Sequence, residues 1–427
     1  MFDKDSISPG RSWYEDSVTE RPEHPALIGQ KECDIAIVGG GFTGLSAAYH
    51  LAKAGVRVVL VDAARFGDGA SGRNGGQLGT GQRQWVEKLE KKLGFERTKA
   101  LFDLAEEAKA DVLSLHENNV IDFDYRQGQL SLAHRKRELA AYQTHVETMA
   151  RYGYDKLSFM NAAQTTEHTG SDFYFGGIRD SGTGHIHPLK FVIGLAGLAK
   201  KAGAELFEKT PITALQPNGG KFVITGSKGS IIAGRVLLAT NGYNLGLQRF
   251  VENYIVPIRS YIGATAPLPI DSEILRGGEA VDDSRFVVRY FRKSSDNRLL
   301  FGGVESYGTS VARHLADRIR AQMTEIFPKL AKTQLTHNWG GTVAITVERM
   351  PYVREVMPGV TYCGGYSGHG VMLAPFMGKL YAESILKKGD RLLLFKELKI
   401  SSFPGGIALR APLLWLAMRF FALMDKI

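Results

Sequence analysis

Residues 34–62, DIAIVGGGFTGLSAAYHLAKAGVRVVLVD, constrain the fold more than any other part of the chain. Asp34–Val38 is a short apolar run of the kind that makes a buried parallel strand. Gly39, Gly41 and Gly44 follow as G-x-G-x-x-G. The first glycine permits a tight turn, the second lets backbone approach a pyrophosphate, and the third lets the next helix lie close to the sheet. A helix over Phe42–Ala54, with Phe42 and Thr43 in its first turn, aims its positive N-terminal end at the phosphates. Gly55 closes the helix, Val58–Val61 is the next strand, and Asp62-Ala63 come after it. An acid at that position can accept hydrogen bonds from both ribose hydroxyls. A bare glycine turn also occurs in ligand-free α/β units. Strand, helix, second strand and acid in register point instead to a dinucleotide, and leave open whether it is FAD or a nicotinamide.

A chain of 427 residues exceeds the size at which one core keeps growing, so two domains are expected. The 53 Lys and Arg against 44 Asp and Glu give a net charge of +9. Part of the basic excess lies in scattered groups (Arg135-Lys136-Arg137, Lys200-Lys201, Lys387-Lys388), with no run long enough for a nucleic-acid arm. Cys33 and Cys363 cannot make a disulfide framework or a zinc site. His185 and His187 form H-x-H without a third ligand in sight, so no metal is expected. The polar N-terminus lacks a signal-peptide layout, and no 18-residue apolar stretch is present. These features read as a reduced, cytoplasmic protein. Residues Ala411–Met424 (APLLWLAMRFFALM) are the exception. As a helix they fall short of a hydrocarbon core of about 30 Å. They could cover a core or subunit interface, or make a peripheral membrane contact. Oligomeric state is left open.

Further along, Trp85–Asn118 and Arg135–Tyr152 read as charged helices, and Tyr125–Ala133 as a strand with a glycine break. A helix is expected over Leu189–Ala202, with short strands at Phe222–Thr225, Ser230–Ala233 and Arg235–Ala239. Tyr254–Ala266, Phe286–Arg292 and Arg298–Gly303 are β-rich and aromatic. Val311–Phe327 is helical, Gly359–Tyr366 a short strand, and a helix runs from Val371 onwards. The expected class is α/β: a Rossmann-like domain with a second, antiparallel-sheet (α+β) substrate domain. The boundaries read as 31–84, 148–250 and 337–390 for the first, 85–147 and 251–336 for the second, and 391–427 as a C-terminal tail.

Several stretches together resemble the glycine/D-amino-acid oxidase (DAO) and sarcosine oxidase superfamily of flavoproteins over nearly the whole chain. They are Ala70-Ser-Gly-Arg-Asn-Gly-Gly-Gln77, Gly184-His-Ile-His-Pro188, Asp296–Gly303, Gly365-Tyr-Ser-Gly-His-Gly-Val371 and Phe403-Pro-Gly-Gly406. Within that superfamily they are most similar to the γ-glutamylputrescine oxidases. The resemblance implies FAD as cofactor. In Ser71, Gly72, Arg73, Asn74, Gly75, Gly76 and Gln77 the glycines expose consecutive backbone N–H groups suited to oxygens of a pyrophosphate or flavin edge, and Arg73 could add charge. Thr240, Asn241 and Gly242 follow an apolar strand, where open α/β sheets bind ligands, and resemble a second FAD contact. Gly365, Ser367, Gly368, His369, Gly370 and Val371 form a strand-to-helix turn whose helix N-terminus suits negative charge on the flavin.

Neither Trp339–Thr346 nor Asn74–Gln77 offers the residue that tethers the flavin in some relatives, so FAD is expected to be non-covalent, with Cys363 the one nearby thiol. Relatives that oxidise amino acids often carry a Lys or Arg soon after the Gly-His-Gly turn, where this chain has Val371-Met372-Leu373. That departure points to an amine whose reacting carbon lacks a carboxylate, although Arg292 or Arg298 could reach in. Aromatic cavity walls are expected from Tyr261, Tyr290, Phe291 and Trp339, with His369 near the flavin. The implied reaction is oxidation of an amine C–N bond, of γ-glutamylputrescine or a similar polyamine conjugate, with O2 as acceptor. The alternatives are an amino-acid or sarcosine-type oxidase or dehydrogenase, and a flavin-bearing subunit without turnover.

Overall fold

The computed structural model describes residues 7–243, 246–307 and 312–406, together with Leu413. The elements that position the site are, in chain order, β1 (Gly29–Val38), α1 (Phe42–Lys53), β2 (Val58–Val61), α2 (Phe95–Glu117), β3 (Arg126–Leu132), β4 (Gly176–His185), α3 (Pro188–Lys201), β5 (Glu205–Phe207), β6 (Gly229–Leu238), β7 (Val256–Thr265), β8 (Ala280–Asp283), β9 (Tyr290–Lys293), β10 (Leu299–Tyr307), β11 (Leu335–Ile345), β12 (Tyr352–Met357), β13 (Val360–Gly364) and α4 (Gly370–Ile385). The expected terminal helix, 411–424, lies outside the described residues apart from Leu413. Among the described residues no helix is long and apolar enough to cross a membrane.

The first sheet has the order β12-β13-β6-β1-β2-β5. Along this path the strands are parallel except for β12, which pairs antiparallel with β13. β1 is longer than the apolar run alone suggests because β6 pairs with it from Gly29 to Val38. The strands expected at Ser230–Ala233 and Arg235–Ala239 are one continuous strand, β6, whose first half also closes a hairpin with Lys221–Gly226. The helical stretch from Trp85 is broken at Gly94, where φ is +78°, into Val86–Leu93 and α2. The glycine break expected in β3 is Gly128, which lies at a register shift against β4.

The second sheet runs Gly10–Arg11, β11, β7, β10, β9, β8, β3, β4, Gln77–Leu78. Its pairings along this path are antiparallel apart from β3 with β8, which are parallel. The expected boundaries therefore need correcting. Segments from all three stretches expected in the first domain pair into this sheet, Gln77–Leu78 and Leu157–Asn161 among them. Residues 176–185 and 335–345 pair into this second sheet, because β4 takes β3 as neighbour and β11 takes β7.

Helix α1 is buried along nearly all of its length, from Phe42 to Ala48 and again at Leu51 and Ala52. It is held between the first sheet and α4. On the sheet side, a Cβ at Gly44 would lie 1.9 Å from the carbonyl oxygen of Gly39. On the α4 side, a Cβ at Gly378 would lie 2.3 Å from the carbonyl oxygen of Thr43 and 2.7 Å from the nitrogen of Ala47. The Ser46 hydroxyl donates to the carbonyl of Pro375 at 2.6 Å across the same contact. A methyl at Gly378 meets backbone, which cannot rotate away. Gly378→Ala is expected to destabilise the protein by about 1–3 kcal/mol, read as a lower urea midpoint with FAD present. Gly197→Ala, whose Cβ meets nothing within 4 Å, is the control expected to cost nothing.

Candidate active site

Two cavities adjoin at Ala70, which lines both. The smaller, about 110 Å³, lies at the C-terminal ends of β1 and β6 and is lined by Gly39, Gly41, Asp62, Ala63, Ser71, Thr240 and Asn241. The larger, about 310 Å³, is lined by Arg73, Asn74, Gly75, Gly76, Gln77, Ser367, Gly368, His369 and Val371 on one side. Strands of the second sheet form the opposite wall. The sequence-predicted stretches, some 300 residues apart in the chain, thus come together around two cavities that share Ala70 as a wall.

At the smaller cavity the glycine turn is fixed by its neighbours. Gly39 has φ +113°, and a Cβ there would lie 2.5 Å from the carbonyl oxygen of Ala239. The Asp62 carboxylate accepts from the N–H groups of Gly40 (2.6 Å) and Ala64 (2.8 Å), so its first task is to hold the turn. Burial raises this carboxyl to about 6. The Ser71 hydroxyl accepts from the Phe42 N–H at 3.0 Å and joins the second glycine loop to the start of α1. The Thr240 hydroxyl is buried and has no hydrogen-bond partner among the described residues. A polar atom left over in a cradle that admits no side chain fits a polar ligand such as the adenosine diphosphate half of FAD.

Seven of the expected cofactor residues do not line either cavity and act from behind. The Phe42 ring packs on Phe191 (5.0 Å between centroids). The Thr43 hydroxyl meets the Tyr366 hydroxyl at 2.6 Å, tying α1 to the turn before α4. Gly44 and Gly72 permit close backbone contacts, with Gly39 and Gly67 respectively. Gly242 lies under Thr342, and Gly365 under Thr346 and Ile255. The Gly365 N–H donates to the Asn241 side chain at 3.0 Å, and Gly370 is the first residue of α4.

The loop facing the larger cavity is braced by hydrogen bonds of its own side chains. The Asn74 amide donates to the carbonyls of Ala70 (3.0 Å) and Ser71 (2.9 Å), and accepts from Gly76 N–H (2.8 Å). The Gln77 amide donates to Val281. Arg73, expected to bring charge to the ligand, instead donates to the carbonyls of Gly340, Pro9 and Gly10 at 2.7–2.8 Å. Arg292 likewise donates to the carbonyls of Gly75 (2.6 Å) and Ile186 (3.0 Å) and to the Tyr14 hydroxyl (3.0 Å). Arg298 pairs with Asp296 at 2.6 Å. Neither Arg292 nor Arg298 lines the larger cavity.

Of the expected aromatic walls, Tyr290 lines the larger cavity, its hydroxyl 3.1 Å from Ser260. Tyr261, Phe291 and Trp339 do not. Tyr261 and Phe291 alternate with cavity-lining Ser260 and Tyr290 and so point behind the sheet, into a core where Phe291 stacks on Phe301. Trp339 packs on Tyr14 (5.3 Å) and donates its indole N–H to the Arg73 carbonyl. His369 does line the cavity; its Nε2 is buried without a partner, and burial lowers its pKa to about 4, so the ring is neutral near pH 7. His185 and His187 have separate partners, the Gly278 carbonyl (2.8 Å) and the Ser17 hydroxyl (2.9 Å). Cys363 is buried on β13 and lines neither cavity.

Sequence reasoning missed the carboxylates of the cavity, Asp180, Asp282 and Glu305, and its apolar lining, Ile258, Phe286, Val288 and Val343. Glu305 was the findable one, a lone acid at the end of the apolar strand Leu299–Val304.

A parallel nucleotide sheet with a glycine turn, a largely antiparallel sheet and two cavities that adjoin at Ala70 make up the architecture of a flavin-dependent oxidoreductase. The FAD dependent oxidoreductase family (DAO) matches residues 34–384, and the chain belongs to it. It is 54% identical over 421 residues to the "Probable oxidoreductase OrdL" of Rhizobium meliloti (strain 1021), covering 98% of each chain. It is 32% identical over 420 residues to the "Gamma-glutamylputrescine oxidoreductase" of Escherichia coli (strain K12), covering 97% of this chain and 98% of that one. The fold matches the crystal structure of glycine oxidase from Geobacillus kaustophilus with a TM-score of 0.70 at 22% identity, over 87% of this chain and 97% of that one. The protein is an FAD-dependent amine or amino-acid oxidoreductase.

If the Asp62 carboxylate holds the turn and the ribose together, Asp62→Ala leaves two backbone N–H groups unpaired. The dissociation constant for FAD is then expected to rise about 10- to 100-fold, measured by flavin fluorescence on adding FAD to the stripped protein. The ionised form is the one that accepts, so wild-type affinity should fall as pH drops through about 6, and the variant should lose that dependence.

Proposed function

We propose that the protein oxidises the C–N bond of a primary amine in a polyamine conjugate, most simply γ-glutamylputrescine, with O2 as acceptor and non-covalently held FAD. The observation that carries this reading is the 32% identity, over nearly the full length of both chains, to the E. coli protein of that name. In the reaction the C–H bond beside nitrogen breaks, nitrogen loses a proton, and the two electrons reduce O2 to H2O2. Water adds to the imine and releases aldehyde and ammonia. FAD supplies the hydride-accepting ring.

The chain's own residues orient the amine and keep its surroundings dry. Val371, Tyr290, Val288, Ile258 and Val343 give the larger cavity apolar walls. Neutral His369 places no positive charge against a cationic substrate. The N-terminus of α4, which enters this cavity at Val371, favours negative charge that develops there. The positions after the Gly-His-Gly turn, Val371-Met372-Leu373, are buried and apolar, so no cation stands there to grip a carboxylate on the reacting carbon. Arg83 and Arg349 line the same cavity. A glutamyl group carries its carboxylate at the end of the molecule remote from the reacting amine, where Arg83 can meet it.

Acid precipitation should release the flavin into the supernatant. An oxygen electrode should record uptake with γ-glutamylputrescine and little with sarcosine, glycine or D-alanine. Uptake with those amino acids and none with the conjugate would show the reading to be wrong.

A further inference from the structure

Three carboxylates line the larger cavity, and they differ in what they already hold. Asp180 accepts from the Tyr154 hydroxyl (2.6 Å), the Thr80 hydroxyl (2.7 Å) and Gly182 N–H (2.9 Å). Asp282 accepts from the Gln129 amide (2.8 Å) and the Ser131 hydroxyl (2.9 Å). The Glu305 side chain makes no hydrogen bond and no ion pair within 4 Å to any described residue. It is half-buried, on a strand whose preceding residues Leu299–Val304 are all buried.

Its place follows from strand register. Glu305 on β10 pairs with Ser260 on β7, which pairs in turn with Gly341 on β11. Residues directly opposite one another in antiparallel strands share a face, so the three form one row on the cavity side, and all three line it. Gly341 sits against the loop, where its Cβ would be 3.5 Å from Ala70 and Arg73. Glu305 is two strand spacings further along, about 10 Å. Ser260, between them, is in contact with the Tyr290 hydroxyl. A carboxylate partly withdrawn from bulk water with no donor among the described residues is destabilised; burial pushes this one up to about 7, and Arg349 is the charge that draws it down. A cation brought in by a ligand would satisfy it.

We propose that Glu305 is the specificity-determining residue that receives the cationic nitrogen of the substrate, so that this cavity selects an alkylammonium over a carboxylate. The proposal rests on the amine-oxidising reading and names the group that reads the substrate's charge. An α-amino acid sets a carboxylate beside its nitrogen and would bring that charge up to Glu305; a primary amine at the end of an alkyl chain does not.

The test titrates the FAD-loaded protein with tert-butylammonium, its neutral analogue tert-butanol and its anionic analogue pivalate, following the visible absorption of the bound flavin. The ammonium has no hydrogen on the carbon bearing nitrogen and cannot be oxidised. Wild-type protein is expected to bind the ammonium most tightly. Glu305→Gln should bind it about 10- to 100-fold more weakly and bind pivalate no worse than wild type, with flavin content unchanged. Equal ammonium affinity in wild type and Glu305→Gln overturns the proposal. Should that variant fail to hold FAD, the wild-type ranking decides: ammonium above tert-butanol supports the proposal, and equal or inverted order overturns it. Because no probe is turned over, absence of amine oxidation alongside Glu305-dependent binding would fault the reaction and leave the recognition standing.

Discussion

The contact on which the rest depends is the crossing of α1 and α4 at Gly378. Backbone lies against backbone there, with the Gly378 Cβ position 2.3 Å from the Thr43 carbonyl oxygen. Helices separated by more than 300 residues of chain can approach this closely only if one offers no side chain. The approach brings the N-termini of both helices to one end of the parallel sheet, and the Thr43–Tyr366 hydroxyl pair fastens them at 2.6 Å. One terminus follows the glycine turn lining the smaller cavity; the other enters the larger cavity at Val371.

Buried arginines then join the two sheets. Arg73 takes the carbonyls of Gly340, Pro9 and Gly10, and Arg292 those of Gly75 and Ile186. Each guanidinium satisfies carbonyls from segments distant in sequence, and a fixed fork of donors is well suited to that. The glycine-rich loop Ser71–Gln77 is therefore held from the start of α1 by Ser71, from the second sheet by Arg292, and from within by Asn74. A loop that dense in glycine would otherwise be costly to order.

The sequence made the local structure legible. The strand, turn, helix and acid of residues 34–62 form as read, since each depends on residues close by. The glycine loop and the Gly-His-Gly turn were legible as motifs, and the fold brings them to one space. What escaped has no local signature. Gly378 sits mid-helix with no turn signal, and its value depends on a helix that arrives from elsewhere. Arg73 and Arg292 looked available as charges, yet their distant partners lie 63 to 267 and 106 to 278 positions away. Alternation along β7 and β9 gave two faces without saying which one meets the cavity, and the aromatic choice was made for the wrong face at Tyr261 and Phe291. The expected ends of the first domain failed at β4 and β11 because strand pairing, not chain order, assigns a segment to a sheet.

The central claim is that the larger cavity presents an amine, rather than an amino acid, to bound FAD. Anaerobic rapid mixing of the FAD-loaded protein with γ-glutamylputrescine tests it most directly. The account predicts full loss of the oxidised flavin's visible absorption, slowed when deuterium replaces hydrogen on the carbon bearing the primary amine. Flavin that stays oxidised with this amine but is bleached by sarcosine or a D-amino acid would contradict it.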